Sequence, residues 1–339
     1  KRAADSAGCI VFSEPDNWMA WAEQLKLGDN PPSAERALEL AVTNWTTAAF
    51  KSAEGHGHAF ASIVGGLSGK ASVIARRAVP QLFESFFPSD EPLDASRKPI
   101  AEMLFVVVAM GDGLSAVDLD ILGQLLNILL SFGPSSTEYI SILKDLEDVQ
   151  DRVRSYANLS WSLDICEILA VLPVQSDAAR AARLSFFHRI LGQAQTFAHR
   201  LGPQDFLLME LLAKDFEVDQ SSLDPLKRAD DAQKFNVPEV DLDGKLIGIY
   251  TLAEAAGARA KASLEKMFPG ITIEVNSDLV ATEKLRNLAR SADFFVFAWK
   301  SSSHAAFYCI KDELPTGEPI WAAGKGTASI MRALLDNIR

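Results

Sequence analysis

Two short clusters near the C-terminus, Lys300-Ser301-Ser302-Ser303-His304 and Gly324-Lys325-Gly326-Thr327, carry the residue types from which an anion site or a hydrolytic centre is built. In the second, two glycines able to adopt left-handed backbone precede a threonine that can cap a helix while the first amides of that helix stay open to an anion. Lys300 and Lys325 add positive charge suited to a phosphate or a carboxylate. With the polar residues of two earlier loops, the candidate ligand-binding set is Thr251, Asn276, Ser277, Lys300, Ser301, Ser303, His304, Gly324, Lys325, Gly326 and Thr327. A serine beside a histidine also offers a nucleophile and a base, and Asp278 could serve as third member, so Ser303, His304 and Asp278 form a catalytic alternative. Ser303 and His304 are adjacent, however, and neighbouring residues rarely face each other. A serine cap with His304 in the first helical turn is the simpler reading.

The elements that must position these residues are legible from Asp241 onward. Apolar β-rich runs at Leu246 to Leu252, Ile271 to Val275, Phe294 to Trp299 and Pro319 to Ala322 alternate with helical patterns at Ala253 to Phe268, Leu279 to Arg290, Ala305 to Asp312 and Thr327 to Asn337. Four strands, each followed by a helix, imply a parallel sheet with right-handed crossovers. Ligands of such sheets bind outside the carboxyl ends of the strands, which is where the polar clusters fall. Gly324 to Thr327 lacks the earlier glycine of a Walker A loop, and the first strand is followed by the single late Gly257, so neither a P-loop nor a dinucleotide fingerprint is present.

The run Ala292-Asp293-Phe294-Phe295-Val296-Phe297, then Ser303-His304-Ala305-Ala306 with Lys311, then Gly324-Lys325-Gly326-Thr327-Ala328-Ser329 before a last helix, resembles an uncharacterised bacterial Rossmann-like domain. The resemblance covers the last third of the chain, and Ala305 stands where that domain has an aspartate. Domains of this kind, attached to long helical regions, occur in proteins of phage-defence gene neighbourhoods; the resemblance implies that context and no reaction.

Upstream, from Asp16 to about Asp219, the periodicity is helical. Segments are expected at Asn17 to Lys26, Ser33 to Ala53, Ala59 to Arg77 with a break at Gly65-Gly66 and Gly69, Val79 to Phe87, Ile100 to Met110, Ala116 to Phe132, Thr137 to Tyr156, Trp161 to Leu172, Ser176 to Leu201 and Asp205 to Phe216. Ile100 to Met110 is apolar on nearly every side and is expected near the core. The fold class is therefore a mainly α-helical N-terminal region, a bundle or an irregular helical array, plus a C-terminal Rossmann-like α/β domain with a four-stranded parallel sheet. The expected boundaries are 1–218 for the helical part, 219–243 for a polar, proline-containing linker and 244–339 for the α/β domain.

Of the 339 residues, 48% are hydrophobic and 23% charged, as in a folded soluble protein. The net charge of −12 resides in the first 240 residues, which hold 33 acidic and 21 basic side chains against 12 and 12 in the remainder. Broad non-specific DNA binding by that acidic part is thereby disfavoured. Cys9, Cys166 and Cys309 are far apart in apolar contexts and read as buried thiols of a reducing compartment. The longest apolar run, Met103 to Met110, is far shorter than the ~20 residues a bilayer needs, so the expectation is a cytoplasmic protein without membrane contact. A chain beginning at Lys1 is expected to be part of a longer protein. Glu54-Gly55-His56-Gly57-His58 and the pair His188 and His199 supply too few donors for a metal site, and no metal or cofactor is expected. These residues point to a non-enzymatic interaction or regulatory protein, whose helical region contacts a protein partner and whose α/β domain receives an anionic small molecule, a nucleic-acid phosphate or a partner side chain. The alternative is a hydrolase or nucleotide-processing enzyme centred on Ser303, His304 and Asp278.

Overall fold

A computed structural model describes residues 15–28, 34–38, 45–52, 55–88, 91–171, 174, 176–227, 242–298, 302–315, 317–322 and 326–338. Contacts divide the chain into two compact units, Lys1–Phe132 and Gly133–Arg339.

The first unit is helical. Its labelled helices are α1 (Trp18–Leu27), α2 (Ala48–Ser52), α3 (His56–Gly65), α4 (Gly69–Arg77), α5 (Val79–Phe86), α6 (Lys98–Ala109) and α7 (Ala116–Ser131), with a further short helical stretch at 34–38. Apolar side chains at helical spacing bring Trp18, Trp21, Phe60, Phe86 and Leu104 out of water, and α6 packs against α3 and α7 as its composition predicts. Arg97 is buried because the Phe86 carbonyl, at 2.7 Å, and the Glu91 carboxylate, at 2.5 Å, receive its guanidinium. The glycine break falls where expected, between α3 and α4. Ser33 to Ala53 is not one helix: residues 45–47 lie outside any helix, because the Thr46 hydroxyl accepts the amide of Ala48 at 3.1 Å and starts a new turn there.

The second unit contains α8 (Ser136–Arg152), α9 (Leu159–Val171), α10 (Asp177–Thr196) and α11 (Pro203–Asp215), followed by the alternating segment. Ser135 opens α8 with a capping box, its hydroxyl accepting from the Glu138 amide at 3.3 Å while the Glu138 carboxylate accepts from the Ser135 amide at 2.7 Å. Gln220–Leu226, inside the stretch expected to link two domains, is a 3-10 helix that buries Leu223 and Leu226 and packs on α10 and α11.

The sheet has four parallel strands, β1 (Leu246–Tyr250), β2 (Thr272–Asn276), β3 (Phe294–Phe297) and β4 (Ile320–Trp321), in the order β2-β1-β3-β4. Ile247 stands between Ile273 and Phe294, and Tyr250 between Asn276 and Phe297. The helices α12 (Glu254–Met267) and α15 (Thr327–Asn337) cover one face, and α13 (Glu283–Ser291) and α14 (His304–Glu313) cover the other. Because the chain leaves β1 toward β2 and returns past it to β3, the strand order reverses between β1 and β3, and the connecting helices change face there. Gly257 lets α12 approach closely, since a Cβ at that position would lie 2.7 Å from Val275 Cγ1 and 3.0 Å from Thr251 Cγ2. Helix α15 touches the sheet on one side and α9 and α11 on another, so it buries Ile330, Met331, Leu334 and Leu335 together.

Candidate functional site

The carboxyl ends of the strands gather several of the polar residues picked from the sequence, and those residues hold one another. Thr251, fully buried, donates its amide to the Asn276 carbonyl at 3.1 Å and accepts the Ala253 amide on its hydroxyl at 3.1 Å. Asn276, also buried, accepts the Asp278 amide at 3.0 Å and donates its own side-chain amide to the Asp278 carboxylate at 2.8 Å. The Thr282 hydroxyl donates to the same carboxylate, so Thr282 first and Asn276 second hold the Asp278 carboxyl below the usual carboxylate range. Tyr250 reaches across from β1 to donate to the Asp278 carbonyl at 2.9 Å, and burial raises its phenol above the ordinary value.

Ser303 caps α14 by accepting the Ala306 amide at 3.1 Å and donates to the Leu279 carbonyl at 2.8 Å, which ties the loop after β3 to the loop after β2. Its hydroxyl proton and one lone pair are thus committed to backbone partners. His304 is the first residue of α14, and its side chain lies outside the described residues, as do Lys300, Ser301, Gly324 and Lys325. Ser277 is half-buried beside Asn276.

At the start of α15, the N-terminus expected to receive an anion already has one. Glu167 of α9 is only 4% exposed and accepts the Thr327 amide at 2.8 Å on one carboxylate oxygen, while the Thr327 hydroxyl donates to the other. That hydroxyl also lies 3.1 Å from the Ala256 carbonyl. Arg259 of α12 pairs with Glu167 at 3.3 Å and with Asp215 at 2.5 Å, balancing the buried charge. Asp164, one turn before Glu167, lies 3.4 Å from the Ser329 hydroxyl, and a Cβ on residue 326 would stand 2.3 Å from an Asp164 oxygen. Gly326 is therefore what allows two carboxylates to approach the helix end, where free amides and the helix dipole favour negative charge. Farther along α15, Arg332 donates to the Ser160 hydroxyl at 3.1 Å.

The family model described as DpdD-like matches residues 2–333. The chain belongs to the DpdD-like family. That family is associated with phage defence and DNA modification. The match includes the helical region, so the DpdD-like unit is wider than the C-terminal third on which the sequence resemblance rested. No curated protein and no solved structure gives a significant match.

In this DpdD-like chain the sequence picked out Thr327 and Gly326 without their partners. Asp164 and Glu167 were legible only as two charges, three residues apart, within the otherwise apolar Trp161 to Leu172. A carboxylate on the buried stripe of a helix requires a donor elsewhere in the fold, and that requirement was the available signal. Cys166 and Cys309 are free thiols in the interior whose ionisation burial makes harder; Cys9 lies outside the described residues. Among the described residues, no group of three or more His, Cys, Asp or Glu side chains could hold a metal, and no helix is long and apolar enough to cross a membrane.

Proposed function

We propose that this DpdD-like chain is a non-enzymatic interaction component of a phage-defence assembly, with the strand-end loops of its Rossmann-like part contacting a partner and its helical region offering further partner surface. The observation that carries this reading is the internal use of the rim. Thr251, Asn276, Asp278, Ser303 and Thr327 all direct their hydrogen-bonding groups to other parts of the chain. The Ser303 hydroxyl donates its proton to the Leu279 carbonyl and accepts the Ala306 amide, where an activated nucleophile would donate to a base. Side chains tied by such bonds suit recognition, and the lysines that the sequence places in these clusters, Lys300 and Lys325, supply positive charge for acidic groups on the partner.

The test combines turnover and association. The purified chain is assayed against ester, phosphomonoester, nucleotide and DNA substrates, and is mixed with the products of the genes beside its own on a sizing column with light scattering. The expected result is no turnover and a complex that Lys300→Glu with Lys325→Glu weakens by at least tenfold. Turnover abolished by Ser303→Ala would overturn the proposal.

A further inference from the structure

A concavity built from residues other than those of the strand-end rim lies where the C-terminal ends of α9 and α11 meet the first turns of α10. Its volume is ≈ 460 Å³, within the range of small-ligand sites. Its walls carry charge of both signs. Arg180 and Arg183 come from α10, Glu217 follows α11, and Val171, Leu184 and Phe216 supply apolar atoms to the same lining.

Each charged group is held in a particular way. Arg183 donates to the Leu169 carbonyl at 3.0 Å, and its guanidinium carbon lies 5.3 Å from the centre of the Phe216 ring, so its plane is fixed before any ligand arrives. Among the described residues Arg180 pairs loosely, 3.5 Å from an Asp177 side chain that is itself 97% exposed. Such an exposed pair holds an arginine weakly and leaves it able to turn to a better anion. Glu217 has φ of 55°, the one non-glycine residue in left-handed backbone among the described residues. It ends α11, with its amide on the Lys214 carbonyl at 3.1 Å and the next amide, of Val218, on the Ala213 carbonyl at 2.8 Å. Glycine is the favoured residue at such a helix end, so a glutamate there carries a conformational cost, and its carboxylate forms no ion pair among the described residues although two arginines line the same cleft.

The lining therefore combines two guanidinium groups, Arg180 and Arg183, with one carboxylate, Glu217 at the negative end of the α11 dipole, and apolar side chains. We infer that it binds a small zwitterion of the aliphatic α-amino-acid class. The ligand carboxylate meets the arginines, its ammonium meets Glu217, and its side chain lies on Val171 and Leu184. A simple phosphate would satisfy the arginines and be repelled by Glu217, and both charges of the ligand are needed to match the lining.

Calorimetric titration of the full chain with L-leucine, L-isoleucine, L-valine and L-methionine tests this. At least one is expected to bind saturably, and for leucine's two truncated analogues, 4-methylpentanoate without the ammonium and 3-methylbutylamine without the carboxylate, binding is expected to be at least tenfold weaker than that of the amino acid. Glu217→Gln and Arg180→Ala, both at exposed positions, are each expected to weaken binding by at least tenfold while the melting temperature of the free chain stays within about 2 °C, a shift of under ~1 kcal/mol. No saturable binding by any of the four, equal binding of 4-methylpentanoate, or undiminished binding by Glu217→Gln would each overturn the inference.

Discussion

Replacing Glu167 by alanine removes the internal anion from the start of α15, and the structure allows the loss to be worked out bond by bond. The Thr327 amide loses its acceptor at 2.8 Å while Thr327 remains fully buried, which costs about 1–3 kcal/mol for an unsatisfied donor. Loss of negative charge at a helix N-terminus adds about 0.3–1 kcal/mol. Two partners keep alternatives: the Thr327 hydroxyl retains the Ala256 carbonyl, and Arg259 retains Asp215. The total is therefore about 1–4 kcal/mol, somewhat below the range for breaking a buried ion pair outright. Urea unfolding followed by far-UV circular dichroism measures it. Glu167→Gln, which keeps an acceptor oxygen and removes the charge, is expected to lose about half as much. A loss below about 0.5 kcal/mol for Glu167→Ala, or a more stable Glu167→Gln, would refute the reasoning, because a buried carboxylate whose desolvation outweighs its bonds behaves in that way.

Three further perturbations separate parts of the account. Burial pushes the Tyr139 phenol up to about 12, so the folded chain keeps that proton where the unfolded chain has lost it. Stability from this group is whole below about pH 10 and falls as the pH rises to 12, by on the order of 2–3 kcal/mol, and Tyr139→Phe should flatten that part of the unfolding profile and raise stability at pH 7 by about 1–3 kcal/mol, since the buried hydroxyl has no hydrogen-bond partner among the described residues. Glu217→Gly should raise stability by about 0.5–1 kcal/mol, read in thermal unfolding, by relieving left-handed backbone at a non-glycine residue. The Asp278 carboxyl is held low by Thr282 first, so it supports folding above the ordinary aspartate value and the support is lost as pH falls through its folded value; Thr282→Val should shrink the acid-side loss, and an unchanged acid limb would contradict the assignment.

The sheet was legible because its strands are short apolar runs separated by amphipathic helices, and all four join one parallel sheet. Their ends were less so. The third strand stops at Phe297 and the fourth is reduced to Ile320–Trp321, since an edge strand pairs on one side only and apolar composition does not say where pairing ends. The single helix expected from Ser33 to Ala53 ignored the Thr46 hydroxyl, which competes for the Ala48 amide. The polar residues at the strand ends could be named from spacing, but the partners that define their roles could not. Glu167 precedes Thr327 by 160 residues, and the Ser303 hydroxyl reaches a carbonyl 24 residues away. The same helix N-terminus that attracts a ligand anion attracts a side-chain carboxylate equally well, and only the packing of α9 against α15 decides between them.

The most direct test of an internally filled anion seat is hydrogen exchange at the Thr327 amide, compared between the wild-type chain and Glu167→Ala under native conditions. The account predicts slow exchange in the wild type and exchange at least tenfold faster in the variant, with α12 amides little changed. Rapid exchange in the wild type, or equal rates in the two proteins, would contradict it.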